Sequence, residues 1–360
     1  MLESARSTMA WKLGAGSGAI ILLLLCGGWA HQAAERRDAA LRSQYRRPDA
    51  IPFPDENPYS SAKAELGRAL FFDPVLSGAR ARSCASCHHP NLAWGDGRAR
   101  AAKHDNGDMA LRSPTLLNLA WADGALGWDG KFADLERVTF APITSPANMN
   151  LPEAEAIDRL SADPRYARAF AEAFPQTAPD KPVVTRERIE QVLATFERLI
   201  VSARTTFDRW VIGDETAIDA SAKRGFALFN GKANCAACHS GWAFTDGSFH
   251  DIGTAWGGDT GRGNLFPGSV ALRYAYKTPT LRNVANRAPY MHDGSVTSLA
   301  AVIELYDRGG IDRPSRSRDI RPLGLTNVEK ADLLAFLRTL SEPTEPQRAL
   351  APFAAAPPRP

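Results

Sequence analysis

The chain has almost no excess charge of either sign. Lys and Arg number 43 against 40 Asp and Glu, a net charge of +3 over 360 residues. That balance gives no electrostatic reason to bind nucleic acid or an anionic membrane surface. Long apolar runs are scarce as well. The one of note follows Arg6 and Lys12, has its core at Ala19 to Cys26, and leads into Gly28-Trp29-Ala30. Small residues at −3 and −1 before His31 read as a secretory cleavage site, making 1–30 a signal peptide. The alternative is an uncleaved N-terminal anchor, in which case the protein would meet a membrane. The eighteen residues from Leu13 to Ala30 include several Gly and Ser and are marginal for a span. Cys26 follows Leu25 rather than the small residue that lipidation favours. Either way the folded part lies outside the cytoplasm, which points to the periplasm. Strand signals are few, and cysteine is rare.

The rarity of cysteine is what gives its placement meaning. Of five cysteines, four form Cys84-Ala85-Ser86-Cys87-His88 and Cys235-Ala236-Ala237-Cys238-His239. C-x-x-C-H is the spacing of covalent c-type haem attachment. Two thiols close thioether bonds onto the porphyrin and the adjacent His is delivered to one face of the iron. Two pentads imply two covalently bound haem c groups, with His88 and His239 as iron ligands. Attachment on the periplasmic side agrees with the secretory reading. Pro (25) and Gly (28) are plentiful, as long loops around cofactors would need.

Around the pentads the chain repeats itself. Lys63-Ala64-Glu65-Leu66-Gly67-Arg68-Ala69-Leu70-Phe71-Phe72 before the first is matched by Ala222-Lys223-Arg224-Gly225-Phe226-Ala227-Leu228-Phe229 before the second. Trp94-Gly95-Asp96-Gly97 answers Phe244-Thr245-Asp246-Gly247, Ser113-Pro114-Thr115-Leu116-Leu117-Asn118 answers Thr278-Pro279-Thr280-Leu281-Arg282-Asn283, and Trp128-Asp129-Gly130 answers His292-Asp293-Gly294. Four matched blocks in one order imply a duplicated one-haem domain. The fold class expected is mainly α: two cytochrome c-like helical domains related by internal duplication. The first covers 51–210, including a bridging helix read from the apolar spacing of Glu187 to Trp210. The second covers 211–342 and closes with a helix over Val328 to Leu340. Residues 31–50 read as a flexible lead-in and 343–360 as a disordered Ala/Pro-rich tail.

The repeat also allows the two irons to be compared. Twelve residues after Gly130 stands Pro142, and twelve after Gly294 stands Tyr306; Leu135 pairs with Leu299 and Val138 with Val302 in this register. If that position faces the iron opposite the His, the first haem keeps an open side, because Pro has no donor atom. The second would be capped by a phenolate, a hard anionic ligand. An open iron can bind a small oxidant, whereas a capped one can only move electrons. Met291 is the alternative ligand, with Tyr306 then packed on the haem edge.

With these residues in place, the chain resembles the bacterial di-haem cytochrome c peroxidase and MauG-like family over roughly residues 50 to 342. The resemblance rests on both pentads, on Trp128-Asp129-Gly130, on Thr278-Pro279-Thr280-Leu281-Arg282-Asn283, and on Pro289-Tyr290-Met291-His292-Asp293-Gly294. It implies that the N-terminal haem meets peroxide, that the C-terminal haem stores or relays electrons, and that Trp128 carries charge between them. The bland alternative for Trp128 is a structural aromatic. Tyr306 matches the MauG-like branch, where the peroxidases usually have Met. The family's acid/base Glu over the peroxide site falls at Asn148, and an assisting Gln falls at Val138. An amide orients peroxide but does not shuttle a proton. The family's interdomain calcium would meet Arg112 and Arg287, which makes calcium doubtful. His104 lies at the spacing of a His that caps the resting first haem in some relatives; its alternative is a loop residue. His292 reads as a residue near the domain interface or as a plain loop His, and His89 and His250 as surface or loop residues.

The function expected is a periplasmic, MauG-like di-haem peroxidase. It would use hydrogen peroxide and draw electrons from an external donor, whether a small cytochrome c, a copper protein or a secreted protein substrate. Ordinary peroxide detoxification is a second enzymatic reading. A pure electron-transfer cytochrome with His104 as permanent ligand is a third.

Overall fold

The computed structural model describes residues 36–105, 107–255 and 257–341; the expected signal segment and tail lie outside them. The elements are helices, short 3-10 turns and one two-stranded sheet. α1 (Ser61–Phe72) starts where the Ser60 side chain accepts from the Lys63 amide. Two short helices follow, α2 (Leu135–Val138) and α3 (Phe140–Thr144), then α4 (Glu153–Ala162) and α5 (Pro164–Ala173). α6 (Arg186–Arg198) is capped by Thr185 and buries Ile189, Val192, Leu193 and Phe196. α7 is Thr206–Val211 and α8 is Ala220–Asn230. β1 (Phe249–His250) pairs antiparallel with β2 (Tyr276–Lys277). α9 (Leu299–Arg308) and α10 (Asn327–Thr339) are the last elements of the described residues, the latter opened by a Thr326/Glu329 capping box. Among the described residues no helix is long and apolar enough to cross a membrane.

The stretch Glu187 to Trp210, expected as one bridging helix, is two. α6 stops at Arg198 and α7 opens with its own capping box, in which Asp208 accepts from the Thr205 amide. Between them Asn118 Oδ1 accepts from the Ser202 amide, so that backbone is held by a side chain instead of by a helical turn.

The duplication is visible as two copies of one helix crossing. α1 meets α6 at Gly67, where an added Cβ would lie 1.9 Å from the Val192 carbonyl oxygen and 3.0 Å from Phe196 Cβ. α8 meets α10 at Gly225, where the same atom would lie 2.0 Å from the Asp332 carbonyl and 2.7 Å from Phe336 Cβ. Only a residue without a side chain lets the backbones approach this closely. Below each crossing is a core. The first gathers Leu70, Phe71, Trp94, Ile189 and Phe196; the second gathers Phe207, Phe226, Phe229, Phe244 and Phe336. Burial of each such side chain contributes about 1.5–3 kcal/mol. Phe207 and Trp210 of α7 belong to the second core, on the near side of the boundary drawn at 210. Tyr45, in the segment read as a flexible lead-in, is also buried there, its hydroxyl donating to Asn230 Oδ1 at 2.6 Å. An aromatic ring with a polar tip finds both an apolar slot and an acceptor in that place.

Candidate functional site

Each pentad folds as one 3-10 turn, Cys84–Ser86 and Cys235–Ala237. The His88 amide donates to the Cys84 carbonyl at 3.0 Å and the His239 amide to the Cys235 carbonyl at 2.9 Å. The turn therefore places both sulfurs and the imidazole around one space. Further on, Trp94 and Phe244 take positive φ angles of 61° and 53°. This turns their carbonyls back toward the rings: Trp94 O lies 3.1 Å from His88 Nδ1 and Phe244 O lies 2.9 Å from His239 Nδ1. A carbonyl only accepts, so Nδ1 carries the proton and Nε2 keeps its lone pair. Burial lowers the pKa of both imidazoles, which keeps them neutral. A neutral ring anchored through Nδ1 is what an iron ligand requires.

Both pentads open into one cavity of about 920 Å³. All four pentad cysteines lie on its wall, none of them in a disulfide. Leu117, Val138 and Leu193 line the first side, and Leu281, Val302 and Leu337 the second. Paired thiols, an oriented imidazole and an apolar wall, twice over, fit two covalently attached c-type haems.

The faces opposite the two histidines differ. α2 and α9 begin at the matched residues Leu135 and Leu299. In the first copy the helix is interrupted at Thr139, and Pro142 on α3 lines the cavity with Asn148 beyond it. In the second copy α9 continues, and Tyr306 lines the cavity. Burial, and then the Cys235 and Cys238 sulfurs, push its phenol well above the ordinary range. It stays neutral unless a cation draws off the proton.

Trp128 lies on the cavity wall where the halves meet. Its Nε1 donates to the Arg112 carbonyl at 2.9 Å, and its own carbonyl accepts from the Lys277 amide at 2.9 Å. A second aromatic link crosses the same junction: Trp121 and Trp242 meet edge to face, 4.8 Å between centroids. His292 is buried and stacks on Tyr276 at 3.7 Å, with its carbonyl accepting from the Arg112 amide. His250 is paired with Asp246 at 2.7 Å, and this hydrogen bond raises it to about 10.

His104 is not brought to the site. It is exposed and outside the cavity wall; next to it Asp105 is exposed and its Oδ1 accepts from the Gly107 amide at 3.0 Å. Only its backbone reaches inward, donating to Ala147 beside Asn148. The place where the resemblance implied calcium holds two guanidinium groups. Arg112 Nη2 donates to the Arg287 carbonyl at 3.0 Å. Arg287 is itself lowered to about 10, by burial and then by Arg112. This donor set does not fit a cation. Glu197 also lines the cavity and was absent from the sequence reading. Its register comes from the helix crossing: continuing the Phe196/Phe336 match by one residue sets Glu197 against Leu337.

Comparison with known proteins agrees with this geometry. The family model for di-haem cytochrome c peroxidases matches residues 61–216, and that for cytochrome c matches 222–341. The methylamine utilization protein MauG of Methylorubrum extorquens is 47% identical over 336 residues, covering 92% of this chain and 94% of its own. A cytochrome c551 peroxidase of Nitrosomonas europaea is 30% identical over 295 residues, covering 81% and 83%. Among solved structures, a MauG-like protein associated with microbial copper homeostasis superposes with a TM-score of 0.75 at 30% identity, over 82% of this chain and 94% of that one.

Proposed function

The chain belongs to the di-haem cytochrome c peroxidase family that includes the MauG proteins, oxidoreductases with two covalently bound c-type haems, and from that premise we propose that it is a periplasmic, MauG-like enzyme oxidising a protein electron donor with hydrogen peroxide. The observation that carries this reading is the contrast of Pro142 and Tyr306 at matched places of one cavity. When bound, the haems supply the redox chemistry, in which peroxide takes up two electrons and two protons and leaves as two waters.

The chain's own residues divide the work. His88 and His239 would hold the two haem irons through Nε2. Pro142 offers no donor and leaves room for peroxide, and the Asn148 amide on the same wall would orient it. Tyr306 fills the matching position on the other side with a phenol oxygen, closing it to small ligands. Trp128 stands between the two, fixed from both halves through Arg112 and Lys277. The apolar wall excludes bulk water from the reacting oxygens. The exposed position of His104 counts against a cytochrome with both irons permanently capped. The equivalents leave for an external donor, a small cytochrome c, a copper protein or a secreted protein substrate.

The test is the reaction of the purified two-haem protein with one equivalent of peroxide. Two electrons are removed in total, and the spectra of both haems change. A protein that leaves stoichiometric peroxide unconsumed overturns the proposal.

A further inference from the structure

Glu197 has no task in that scheme, yet it is placed as if it had one. It is only 8% exposed and lies on the cavity wall beside Leu193. Its Oε2 has no hydrogen-bond partner. The adjacent base is committed elsewhere: Arg198 gives both terminal nitrogens to Glu136, at 2.7 and 2.9 Å, and Asn57 donates to the same carboxylate at 2.8 Å. The chain carries its own control. The crossing that sets Val192 and Phe196 against Gly67 sets Asp332 and Phe336 against Gly225, so Glu197 corresponds to Leu337, which also lines the cavity. Packing alone is satisfied by Leu in one copy. Burying an unpartnered carboxyl in the other costs free energy that Leu would not.

We propose that Glu197 holds the proton that travels with the electron at the first haem. The inference rests on the two-haem reading above. Reduction at the first site by one electron removes one unit of positive charge there, and Glu197 takes one proton from solvent. Oxidation releases both. Each peroxide converted to two waters consumes two electrons and two protons; Glu197 supplies one proton and solvent the other, where the Asn148 amide supplies none. Burial pushes the Glu197 carboxyl up to about 8, so it is protonated at neutral pH and ionises when positive charge appears beside it. The charges acting on it are Arg198 from its own helix, which lowers it, and Glu136 from α2, which raises it. Cys84 of the first pentad feels the Glu197 charge and becomes an uncharged thioether on attachment. On the crossing helix α1, Lys63 is held by Asn57 Oδ1 at 3.1 Å and the Pro58 carbonyl at 3.0 Å.

The experiment is a spectroelectrochemical titration of the full chain with both haems attached, from pH 6 to 9, for the wild type, Glu197→Gln and Glu197→Leu. The wild-type first haem becomes harder to reduce as pH rises, its reduced-to-oxidised ratio at fixed potential falling by up to tenfold per unit. Both variants carry two haems and lose this slope, and the second haem is unchanged in all three. A pH-independent first haem in the wild type, or an unaltered slope in either variant, overturns the proposal. A variant that loads no haem leaves the wild-type slope, and a protonated-carboxyl infrared band that shifts in D₂O and changes on reduction, as the deciding observations; lack of either overturns it. Failure of the underlying reading has a separate signature, a wild-type protein without two covalent haems.

Discussion

Tyr306 and Pro142 show how much one side chain decides when everything around it is duplicated. Tyr306→Phe removes the phenol oxygen while keeping the ring that fills the place. The expected outcome is a changed ferric spectrum for the second haem alone, with the first haem and total haem content unaltered, read by optical absorption and electron paramagnetic resonance. Glu197 makes a prediction about stability as well. Its carboxyl titrates near 8 when folded and near its ordinary value, about 4.5, when unfolded. Below that lower value both states are protonated and this group sets no pH dependence. As pH rises toward 8 the unfolded chain gives up its proton first, and the ratio of folded to unfolded chain falls by up to tenfold per unit. With the first haem reduced, urea denaturation between pH 5 and 8 should show this slope, steeper in the wild type than in Glu197→Gln. The pentads were legible in the sequence because covalent attachment demands fixed spacing. Pro142 and Tyr306 were legible because the repeat supplied the register. Glu197 was not, since burial without a partner leaves no local pattern, and the spacing of His104 says nothing about which way a solvent-facing turn points.

At the scale of elements, the helix crossings carry the fold. The apolar periodicity of α1, α6, α8 and α10 was readable, but their closeness was not: it depends on Gly67 and Gly225 meeting carbonyl oxygens. Gly67→Ala should destabilise the first core by about 1–3 kcal/mol through overpacking, and Gly225→Ala the second by a like amount. Urea unfolding followed at each haem would separate the two. The break between α6 and α7 was hidden because Glu187 to Trp210 keeps a helical apolar pattern across it. Only the Asp208 capping box and the grip of Asn118 on Ser202 end one helix and begin another.

At the scale of the molecule, the two halves dock through the matched Asp-Gly turns. Gly130, at φ 75°, lies against Arg262 and Phe249 of the second half, and Arg262 Nη1 donates to the Asp129 carbonyl at 2.8 Å. Gly294, at φ 66°, lies against Ala99 of the first half, where an added Cβ would meet Ala99 Cα at 2.3 Å. A side chain at either place is strained by its backbone and blocked by the opposite half. Gly130→Ala and Gly294→Ala should leave both haems attached but slow the response of the second haem to peroxide, as stopped-flow absorption would record. The central claim is that one cavity holds two unequal sites, one open at Pro142 and one closed by Tyr306. Titration of the oxidised protein with cyanide tests it most directly. One cyanide should bind per chain, at the haem attached through Cys84 and Cys87; binding at both haems or at neither would rule out this asymmetry.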